Sequence, residues 1–483
     1  MGPSMRPLPL VDRYEGEASA AAAPAAERPP PRAAGRRLYV ETFGCQMNVL
    51  DSELVVGALR REGYEPTEDR KRADLVLFNT CSVREHAEDK VWSRLGELKP
   101  QKRRNPDLVI AVLGCMAQAH KDEILRRAPH VDIVCGTRDF PRLPRLVEGV
   151  ERERAPVVAA DLTHPVDIER DVTVRGDRHS AYVTVMYGCD FACTYCIVPH
   201  TRGAEVSRPV AEVKREVERL AADGVREVTL LGQTVDGYGK GLPGRPDLGD
   251  LLEAIHDTPG LERIRFITSH PSLMREPILR RVASLDKVCE YLHMPAQSGS
   301  DAVLARMRRG YTAARYREIV DRARAVVPDV AIASDFIVGF PGETERDFEA
   351  TARLVREVGF SQAYVFKYSP RPFTPAYEGL EDDVPEDAKR ERCTALLAVQ
   401  EEVQARLHRD LRGRRLEVLV EGRSKNDARK LAGRTRQNRV CCFEGDDALV
   451  GSTVAVEVTG STALTLFGTL VGAGPPPSGR GFG

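Results

Sequence analysis

The sequence predicts an α/β protein of several domains: an N-terminal doubly wound parallel sheet, a central partial (β/α)6 barrel and a small C-terminal all-β barrel. Three observations lead to this prediction. Runs of Val, Ile and Leu alternate with helical stretches in the first part of the chain, and six strand–helix units follow. Residues 413–471 instead alternate apolar and polar side chains with the period of a β-strand, which favours a small barrel.

Shifts in composition divide the chain into segments. Both ends are rich in Pro, Gly or Ala and hold too little apolar surface to repay ordering. The predicted segments are a disordered tail at 1–36, an N-terminal domain at 37–152, a linker at 153–178, a central barrel at 179–410, a β domain at 411–472 and a second disordered tail at 473–483.

Cysteine usage and hydropathy predict the cellular setting. No apolar run approaches the roughly 18 residues that a membrane span needs, and the N-terminus lacks the apolar core of a secretion signal. Eleven cysteines in a chain without an export signal indicate a reducing compartment, where clustered thiols bind metals or catalyse reactions. We therefore expect a cytoplasmic protein with no membrane segment.

In the N-terminal domain, three predicted strands each end on a cysteine. These are Cys45, Cys81 and Cys115, after "RLYVETFG", "ADLVLFNT" and "DLVIAVLG". Because ligands of such sheets bind outside the carboxyl ends of the strands, the three thiols could share a metal site. Cys135 ends a similar run, so a fourth ligand stays open, and scattered cysteines can also be buried apolar side chains.

A second set of cysteines follows the first strand of the central barrel, at the end where parallel barrels place their active sites. Cys189, Cys193 and Cys196 have the spacing C-x3-C-x2-C. Three thiolates leave one iron of a four-iron cluster without a protein ligand, and an open coordination position marks reactivity. The alternatives are coincidental cysteines or a zinc site that takes His200 as a further ligand.

The β domain is basic on one stretch. Ten Lys and Arg residues stand against three acidic residues between Arg412 and Arg439, whereas the whole chain is balanced at 71 basic to 72 acidic. A phosphate backbone is a natural partner for such a stretch. The alternative is a solvated basic surface.

The C-x3-C-x2-C loop and the six units resemble the radical S-adenosylmethionine (SAM) superfamily. The resemblance implies that SAM completes the open iron and is cleaved there to a 5′-deoxyadenosyl radical. It also implies SAM contacts from Tyr195, Gln233, Gln297, Ser298 and Ile337. "DFIVGFPGET" departs from the superfamily element that it resembles, because Asp335 replaces its first glycine and Glu343 stands one position late.

Further motifs resemble the methylthiotransferase family across residues 38–471: "ETFGCQMN", "NTCSVRE", "GCMAQ", "GCDFACTYCIVPHTRG", "SHP", "LHMPAQSGS", "SDFIVGFPGET" and "GRTRQNRV". This resemblance implies that Cys45, Cys81 and Cys115 bind an auxiliary 4Fe-4S cluster with its own open iron, and that the last domain is a TRAM module. The expected cofactors are therefore two 4Fe-4S clusters, each bound by three cysteines, and SAM. No family motif covers Cys135, which we expect to be structural.

Within the family, "CTYCIVPHTRG", "GCMAQ" and "GRTRQNRV" point to members that act on tRNA. They imply addition of a methylthio group to C2 of N6-dimethylallyladenosine at position 37, in the anticodon stem-loop. Arg434, Arg436 and Arg439 are then candidate phosphate contacts. Other implied partners are an electron donor such as flavodoxin or ferredoxin and a sulfur donor.

Three alternatives remain open at this stage. A sibling enzyme acts on threonylcarbamoyladenosine in tRNA. Another acts on an aspartate of ribosomal protein S12, for which an acidic rather than a basic terminal domain would be expected. From a different class, the chain could be a non-catalytic iron–sulfur protein that binds RNA or carries electrons, but such a protein would have no use for open cluster sites.

Overall fold

The computed structural model describes residues 35–82, 85–164 and 174–472. Contacts divide the chain into two compact units. The first extends to Gly176 and adds Tyr187–Asp190 and Ile197–Ala204; the second holds the remainder. Nearly all of both predicted tails, and residues 165–173 of the predicted linker, lie outside the described residues.

The first unit begins with a series of strands and helices in alternation. In chain order they are β1 (Arg36–Phe43), α1 (Gln46–Arg61), β2 (Tyr64–Pro66), β3 (Leu75–Thr80), α2 (Glu85–Arg104), β4 (Val109–Gly114), α3 (Cys115–His120), α4 (Asp122–Arg127), β5 (Ile133–Cys135), α5 (Leu143–Glu153) and β6 (Val157–Ala159).

These strands form one parallel sheet in the order β2-β1-β3-β4-β5-β6. β3 and β4 are buried along their whole length, as their continuous apolar runs require. Val76 and Phe78 pack with Val91 and Leu95 of α2 on one face, whereas α1 and α5 contact each other. The predicted doubly wound parallel sheet is confirmed.

The sheet extends beyond the predicted domain boundary at residue 152. β6 lies inside the segment predicted as a linker and pairs in parallel with β5. Its three apolar residues follow the charged stretch "ERERAP". So short a strand has no periodic pattern by which the sequence could predict it. β1 likewise begins at Arg36, the last residue of the predicted tail.

From Ser180 onward the elements are β7 (Ser180–Thr184), β8 (Met186–Tyr187), α6 (Val198–Arg202), β9 (Val206–Ser207), α7 (Val210–Ala222), β10 (Glu227–Leu231), α8 (Leu248–His256), β11 (Arg263–Phe266), α9 (Glu276–Ser284), β12 (Tyr291–His293), α10 (Asp301–Arg306), α11 (Ala313–Val326), β13 (Ala331–Val338), α12 (Glu345–Val358), β14 (Gln362–Lys367), α13 (Pro375–Gly379), α14 (Glu386–Arg409), β15 (Arg415–Arg423), β16 (Lys430–Thr435), β17 (Val440–Glu444), β18 (Thr453–Ser461) and β19 (Thr465–Leu470).

Six of these strands build the central domain. They form two parallel three-stranded sheets, β11-β10-β7 and β12-β13-β14, and an isolated parallel bridge joins Ile264 of β11 to Val288 just before β12. Each strand matches one of the six predicted units. The predicted partial barrel is confirmed, and its strands direct their carboxyl ends to one side because all of them are parallel.

The C-terminal strands close into a barrel in the order β15-β16-β17-β19-β18. Its core includes Val418 and Val420 of β15 and Val456 and Val458 of β18, which lie on alternate positions of their strands. The predicted small all-β barrel is confirmed. Among the helices of the described residues, none has both the length and the apolar character needed to cross a membrane.

Candidate functional site

Three cysteines of the first unit lie side by side at the carboxyl edge of its sheet. The register pairs Phe43 with Thr80, and Thr80 with Gly114, so β1, β3 and β4 end level with one another. Cys81 and Cys115 directly follow β3 and β4, and Cys45 follows β1 after one glycine. The chain reverses its direction of winding between β1 and β3, the place where open α/β sheets bind ligands.

The thiols interact with one another and with a nearby arginine. A hydrogen bond with Cys81 lowers the pKa of Cys45 to about 6, the charge of Arg202 acts in the same direction, and burial opposes them. Burial raises the pKa of Cys115, although Arg202 opposes it through its charge and a hydrogen bond. The structure thus brings the three predicted ligands of the first site together.

A set of buried amides fixes the loops that carry these cysteines. The Asn79 amide nitrogen, at the end of β3, donates to the Asn48 carbonyl oxygen at 2.9 Å and to Ser52 Oγ at 3.0 Å. Asn48 Nδ2 donates in return to Asn79 Oδ1, and the Cys45 thiol donates to Asn48 Oδ1 at 3.2 Å. Sequence reasoning missed these residues, although a polar Asn inside the apolar run of β3 was a signal.

Arg202 and Asp51 form a buried ion pair beside the same cysteines. Arg202 Nη2 lies 2.7 Å from Asp51 Oδ2, and each side chain is 5% exposed. Asp51 lies on α1 and Arg202 is the last residue of α6. A sequence pattern does not reveal this pair, because 151 positions separate its members.

Cys189, the first cysteine of the loop, belongs to the first unit. Its backbone N–H donates to the Gly203 carbonyl oxygen at 3.2 Å. Gly188 precedes it in the left-handed region at φ 69°, and an added Cβ there would overlap the Ala204 carbonyl oxygen. Only glycine fits this position without strain, so the turn into the loop depends on it.

Cys193 and Cys196 belong to the second unit, where an arginine contacts the loop. Arg309 Nη1 lies 3.4 Å from Cys193 Sγ and 3.3 Å from the Tyr195 hydroxyl. The Cys196 N–H donates to the Cys193 carbonyl oxygen at 3.1 Å, and the Thr194 N–H donates to the Met307 carbonyl oxygen. These bonds hold the two thiols on a tight, anchored turn.

The predicted SAM contacts lie at the carboxyl ends of several strands. Tyr195 and Ile337 pack against one apolar cluster. Gln297 has a left-handed backbone at φ 69°, and its carbonyl oxygen accepts from the Ile337 N–H at 3.0 Å. Ser298 Oγ lies 3.2 Å from Thr351 Oγ1. Gln233 follows β10, and its Oε1 is buried without a hydrogen-bond partner in the described part of the chain.

Two further buried polar groups follow β10 and β11. Asp236 Oδ1 accepts from the His270 N–H at 2.9 Å, while Asp236 Oδ2 and His270 Nε2 are buried without partners among the described residues. Burial raises the pKa of Asp236 to about 8. Burial, followed by the charge of Arg309, lowers the pKa of His270 to about 3. His270 belongs to the motif "SHP" and Asp236 follows Gln233 by three positions, but neither residue was predicted to have a role.

His270 also stacks on the cysteine loop. Its ring lies 4.0 Å from that of Phe191, at an interplanar angle of 9°. His270 Nδ1 accepts from the Ser272 N–H, so the proton of the neutral ring is on Nε2. A neutral donor and a protonated carboxyl thus lie side by side at the carboxyl end of the barrel.

Each cysteine set suits an iron–sulfur cluster by the chemistry of its donors. Both sets offer three thiols, and thiolates are the ligands that such clusters take. Within the described ranges, no three His, Cys, Asp or Glu side chains converge on a position that would hold a single metal ion. Cys135 lies at the end of β5, where burial raises the pKa of its thiol well above the usual value.

The three predicted RNA contacts differ in their surroundings. The Arg434 side chain is 39% exposed and pairs with Glu421 at 3.0 Å. The Arg436 guanidinium already has partners, since it donates to both Glu290 carboxylate oxygens at 2.9 Å and to the Val288 carbonyl oxygen. Burial lowers the pKa of Arg439 to about 10. Arg436 therefore has a structural partner in place of a phosphate.

Comparisons with known proteins agree with this architecture. The profile of the uncharacterized protein family UPF0004 matches residues 37–136, that of the radical SAM superfamily residues 183–355 and that of the TRAM domain residues 409–471. Among solved structures, the radical SAM methyltransferase TsrM from Kitasatospora setae, with cobalamin and a [4Fe-4S] cluster bound, aligns with a TM-score of 0.52 at 16% identity, over 71% of this chain and 77% of that one. At this identity the likeness shows the fold alone.

Several relatives align over nearly the whole chain. The tRNA-2-methylthio-N(6)-dimethylallyladenosine synthase of Carboxydothermus hydrogenoformans is 45% identical over 445 residues, which are 91% of this chain and 100% of that protein. The enzyme of the same name from Bordetella avium is 45% identical over 460 residues, which are 94% and 96% of the two chains. The resemblance inferred from the motifs is confirmed: the chain belongs to the tRNA-2-methylthio-N(6)-dimethylallyladenosine synthases, a family of radical SAM methylthiotransferases.

Proposed function

We propose that this chain adds a methylthio group to C2 of N6-dimethylallyladenosine at position 37 of tRNA. The observation that carries the proposal is the alignment of Cys45, Cys81 and Cys115 at one sheet edge, in a chain that also has a radical SAM cysteine loop. Two sets of three thiols match a reaction that needs both a radical and a sulfur. The names of the relatives support the choice of substrate.

In this proposal each set of cysteines holds one 4Fe-4S cluster: Cys45, Cys81 and Cys115 the first, Cys189, Cys193 and Cys196 the second. When bound, the clusters and SAM supply the radical chemistry and the sulfur that an unreactive aromatic C–H bond requires. The protein contributes the placement. The aligned ends of β1, β3 and β4 hold one set, and the anchored turn through Thr194 holds part of the other.

The proposed SAM contacts divide by chemistry. Tyr195 and Ile337 offer an apolar wall. Gln233 Oε1, which is buried without a partner among the described residues, offers an acceptor that suits an amino group. The left-handed backbone of Gln297 directs its peptide groups toward β13. Ser298 is the weakest of the five candidates, because its hydroxyl already meets Thr351.

Asp236 and His270 suit an uncharged ligand. A protonated carboxyl and a neutral imidazole can donate hydrogen bonds without the cost of burying a charge. A nucleobase edge presents the acceptors that such donors need. Both side chains are shielded from water, and a reaction with a reactive intermediate needs a dry site.

The proposed macromolecular partner is the anticodon stem-loop of tRNA, where the target base is unpaired and can leave the stack. Arg434 is the best-placed of the predicted phosphate contacts because its guanidinium is partly exposed. Arg439 is a weaker candidate, and Arg436 is engaged by Glu290. An electron donor such as flavodoxin or ferredoxin, a sulfur donor and a cytoplasmic location complete the proposal.

An anaerobic assay tests the function. The protein is reconstituted with iron and sulfide and incubated with SAM, a reductant and tRNA that bears N6-dimethylallyladenosine. The tRNA is then digested to nucleosides for mass spectrometry. We expect a methylthio gain on the modified adenosine, and its loss in Cys45→Ala and in Cys189→Ala. Cys135→Ala is the matched control and should retain activity, because this buried thiol belongs to neither set.

Two results would contradict the proposal. One is product formation by Cys189→Ala, and the other is no product from a wild-type protein that carries both clusters. Parallel reactions with tRNA bearing threonylcarbamoyladenosine and with ribosomal protein S12 identify a different substrate should the first assay fail. SAM cleavage measured in the same samples separates an enzyme from a non-catalytic iron–sulfur protein.

A further inference from the structure

The buried pair of Arg202 and Asp51 lies beside the thiols of the first unit. Arg202 Nη2 lies 2.7 Å from Asp51 Oδ2. Burial raises the pKa of Cys115 and Arg202 opposes this through its charge and a hydrogen bond, while the same charge helps to lower the pKa of Cys45. α6, which ends on Arg202, contacts α3, which begins on Cys115. A guanidinium is therefore fixed close to the thiols of the first unit.

The backbone around Arg202 is held by separate hydrogen bonds. Arg138 Nη2 donates to the Arg202 carbonyl oxygen at 3.1 Å, and Thr137 Oγ1 donates to the Thr201 carbonyl oxygen at 2.6 Å. Both donors come from the segment that follows β5. The position of α6 therefore does not depend on the Arg202 side chain alone.

Stability alone explains this pair poorly. Burying two charges costs about as much as their attraction returns, and apolar side chains of similar volume often stabilise a protein as well or better. A charge and a hydrogen bond at thiolate sulfurs, by contrast, have a direct effect on an iron–sulfur cluster. Hydrogen bonds to the sulfurs and net charge are the main determinants of a cluster's reduction potential.

We propose that Arg202 and Asp51 are positioning residues with opposite effects on the reduction potential of the cluster held by Cys45, Cys81 and Cys115. Arg202 raises the reduction potential through its charge and its hydrogen bond to Cys115, and Asp51 fixes the guanidinium while offsetting part of its charge. The inference rests on the proposed function in one respect, namely that these three cysteines hold a cluster. It adds residues that determine how readily this cluster accepts an electron.

The test uses full-length protein in which Cys189, Cys193 and Cys196 are changed to Ala, so that a single cluster remains. Iron and sulfide contents are measured after reconstitution, and the midpoint potential is determined by a reductive titration followed by electron paramagnetic resonance. We expect a more negative potential in Arg202→Gln, because a charge and a donor are lost. The midpoint potential of Arg202→Lys should lie between those of the parent and Arg202→Gln. Asp51→Asn should give a more positive potential than the parent.

The opposite signs are the essential result. A merely structural ion pair predicts that Arg202→Gln and Asp51→Asn both lower iron content and thermal stability, with no opposed change in potential. Arg94→Gln is the matched control: this arginine also pairs with a buried carboxylate of the first unit, Glu41, and its hydrogen bonds go to carboxylates. Its potential should equal that of the parent.

Each outcome is decisive. If the parent with three Ala substitutions binds no cluster, the proposed function fails and the inference fails with it. If the parent holds a cluster and the potentials of the variants equal its own, or move in one direction, the inference alone is overturned. If Arg202→Gln loses its cluster, the comparison of Arg202→Lys with Asp51→Asn tests the inference instead. Equal midpoint potentials in these two variants would overturn the inference.

Discussion

At the residue scale, Asp236 is a carboxylic acid that the fold keeps away from water. It follows β10 and is 2% exposed, and its second carboxyl oxygen has no partner in the described part of the chain. Burial holds its pKa at about 8, above the unfolded value near 4. The folded protein therefore retains a proton that the unfolded chain releases between these two pH values.

The consequence is a stability that falls as pH rises from about 4 to about 8, by at most about 1.4 kcal/mol per pH unit. Asp236→Asn removes this group but retains an acceptor for the His270 N–H. We expect the melting temperature of the variant to exceed that of the wild type by a margin that grows from pH 5 to pH 8. The exposed Asp223→Asn is the control. A margin independent of pH would show that Asp236 is ionised in the fold.

Asn79 is a second residue with a predicted effect, because its buried amide links β3 to α1. Replacing it with Ala would remove the acceptor of the buried Asn48 amide nitrogen and the donor to Ser52 Oγ, at a cost of about 2–3 kcal/mol. We expect a lower melting temperature and less iron at the first site, because the Asn79 amide anchors the first turn of α1, directly after Cys45. Asn105→Ala, in an exposed turn, should change neither quantity. Full iron content in Asn79→Ala would argue against this role.

At the element scale, the ends of strands and the turns that follow them carry the candidate chemistry. Cys45, Cys81 and Cys115 are neighbours because parallel strands of matched register end at one edge. Cys189 depends on a turn instead, since Gly188 occupies a conformation and a space that exclude a side chain. The first site is thus built by a sheet and the second by a loop.

Two glycine variants separate the effect of backbone conformation from that of crowding. Gly188 and Gly224 both have positive φ angles, but only Gly188 lacks room for a Cβ. Both alanine variants should lose about 1 kcal/mol of stability from the left-handed backbone. Only Gly188→Ala should also reduce iron binding by the loop, measured in protein with Cys45, Cys81 and Cys115 changed to Ala. Equal iron contents in the two variants would exclude a special role for this turn.

At the scale of the whole molecule, arginines join the C-terminal barrel to the central domain within the second unit. Arg263 is 1% exposed and pairs with Glu417 at 2.8 Å. Arg265 Nη2 donates to the Thr435 carbonyl oxygen at 2.7 Å, and Arg436 pairs with Glu290. Arg436, a member of the basic stretch, therefore serves assembly, whereas Arg434 of the same stretch keeps a partly exposed side chain.

Arg434 and Arg436 should separate these two uses. Arg436→Ala removes the cation that pairs with the mostly buried Glu290 carboxylate, so we expect a loss of about 3 kcal/mol in stability. Arg434→Ala should leave stability nearly unchanged and weaken binding to an anticodon stem-loop. The slope of log affinity against log salt concentration should become shallower by about one. Calorimetry and binding titrations at several salt concentrations measure both effects. A reversed pattern would assign Arg436 to RNA and Arg434 to assembly.

Much of the fold and of the cysteine sites could be predicted from the sequence because their signals are local. The apolar runs of β3 and β4 indicated buried parallel strands, and each run led directly into its cysteine. The short edge strand β6 was missed because three apolar residues in a charged context carry no periodic signal. Arg436 was predicted as an RNA contact because charge in a sequence does not reveal an ionic partner 146 positions away.

By itself, the sequence determined the kinds of domain, the six cysteines and the family, since period, spacing and motif are properties of neighbouring residues. Tertiary structure decided which charged side chains form ion pairs inside the protein and which thiols lie together. Arg202 meets Asp51 across 151 positions, and Asp236 meets His270 across 34, only because packed elements bring them into contact. The free energy of a buried charge or proton depends on its surroundings in space, and these are set by packing rather than by order along the chain.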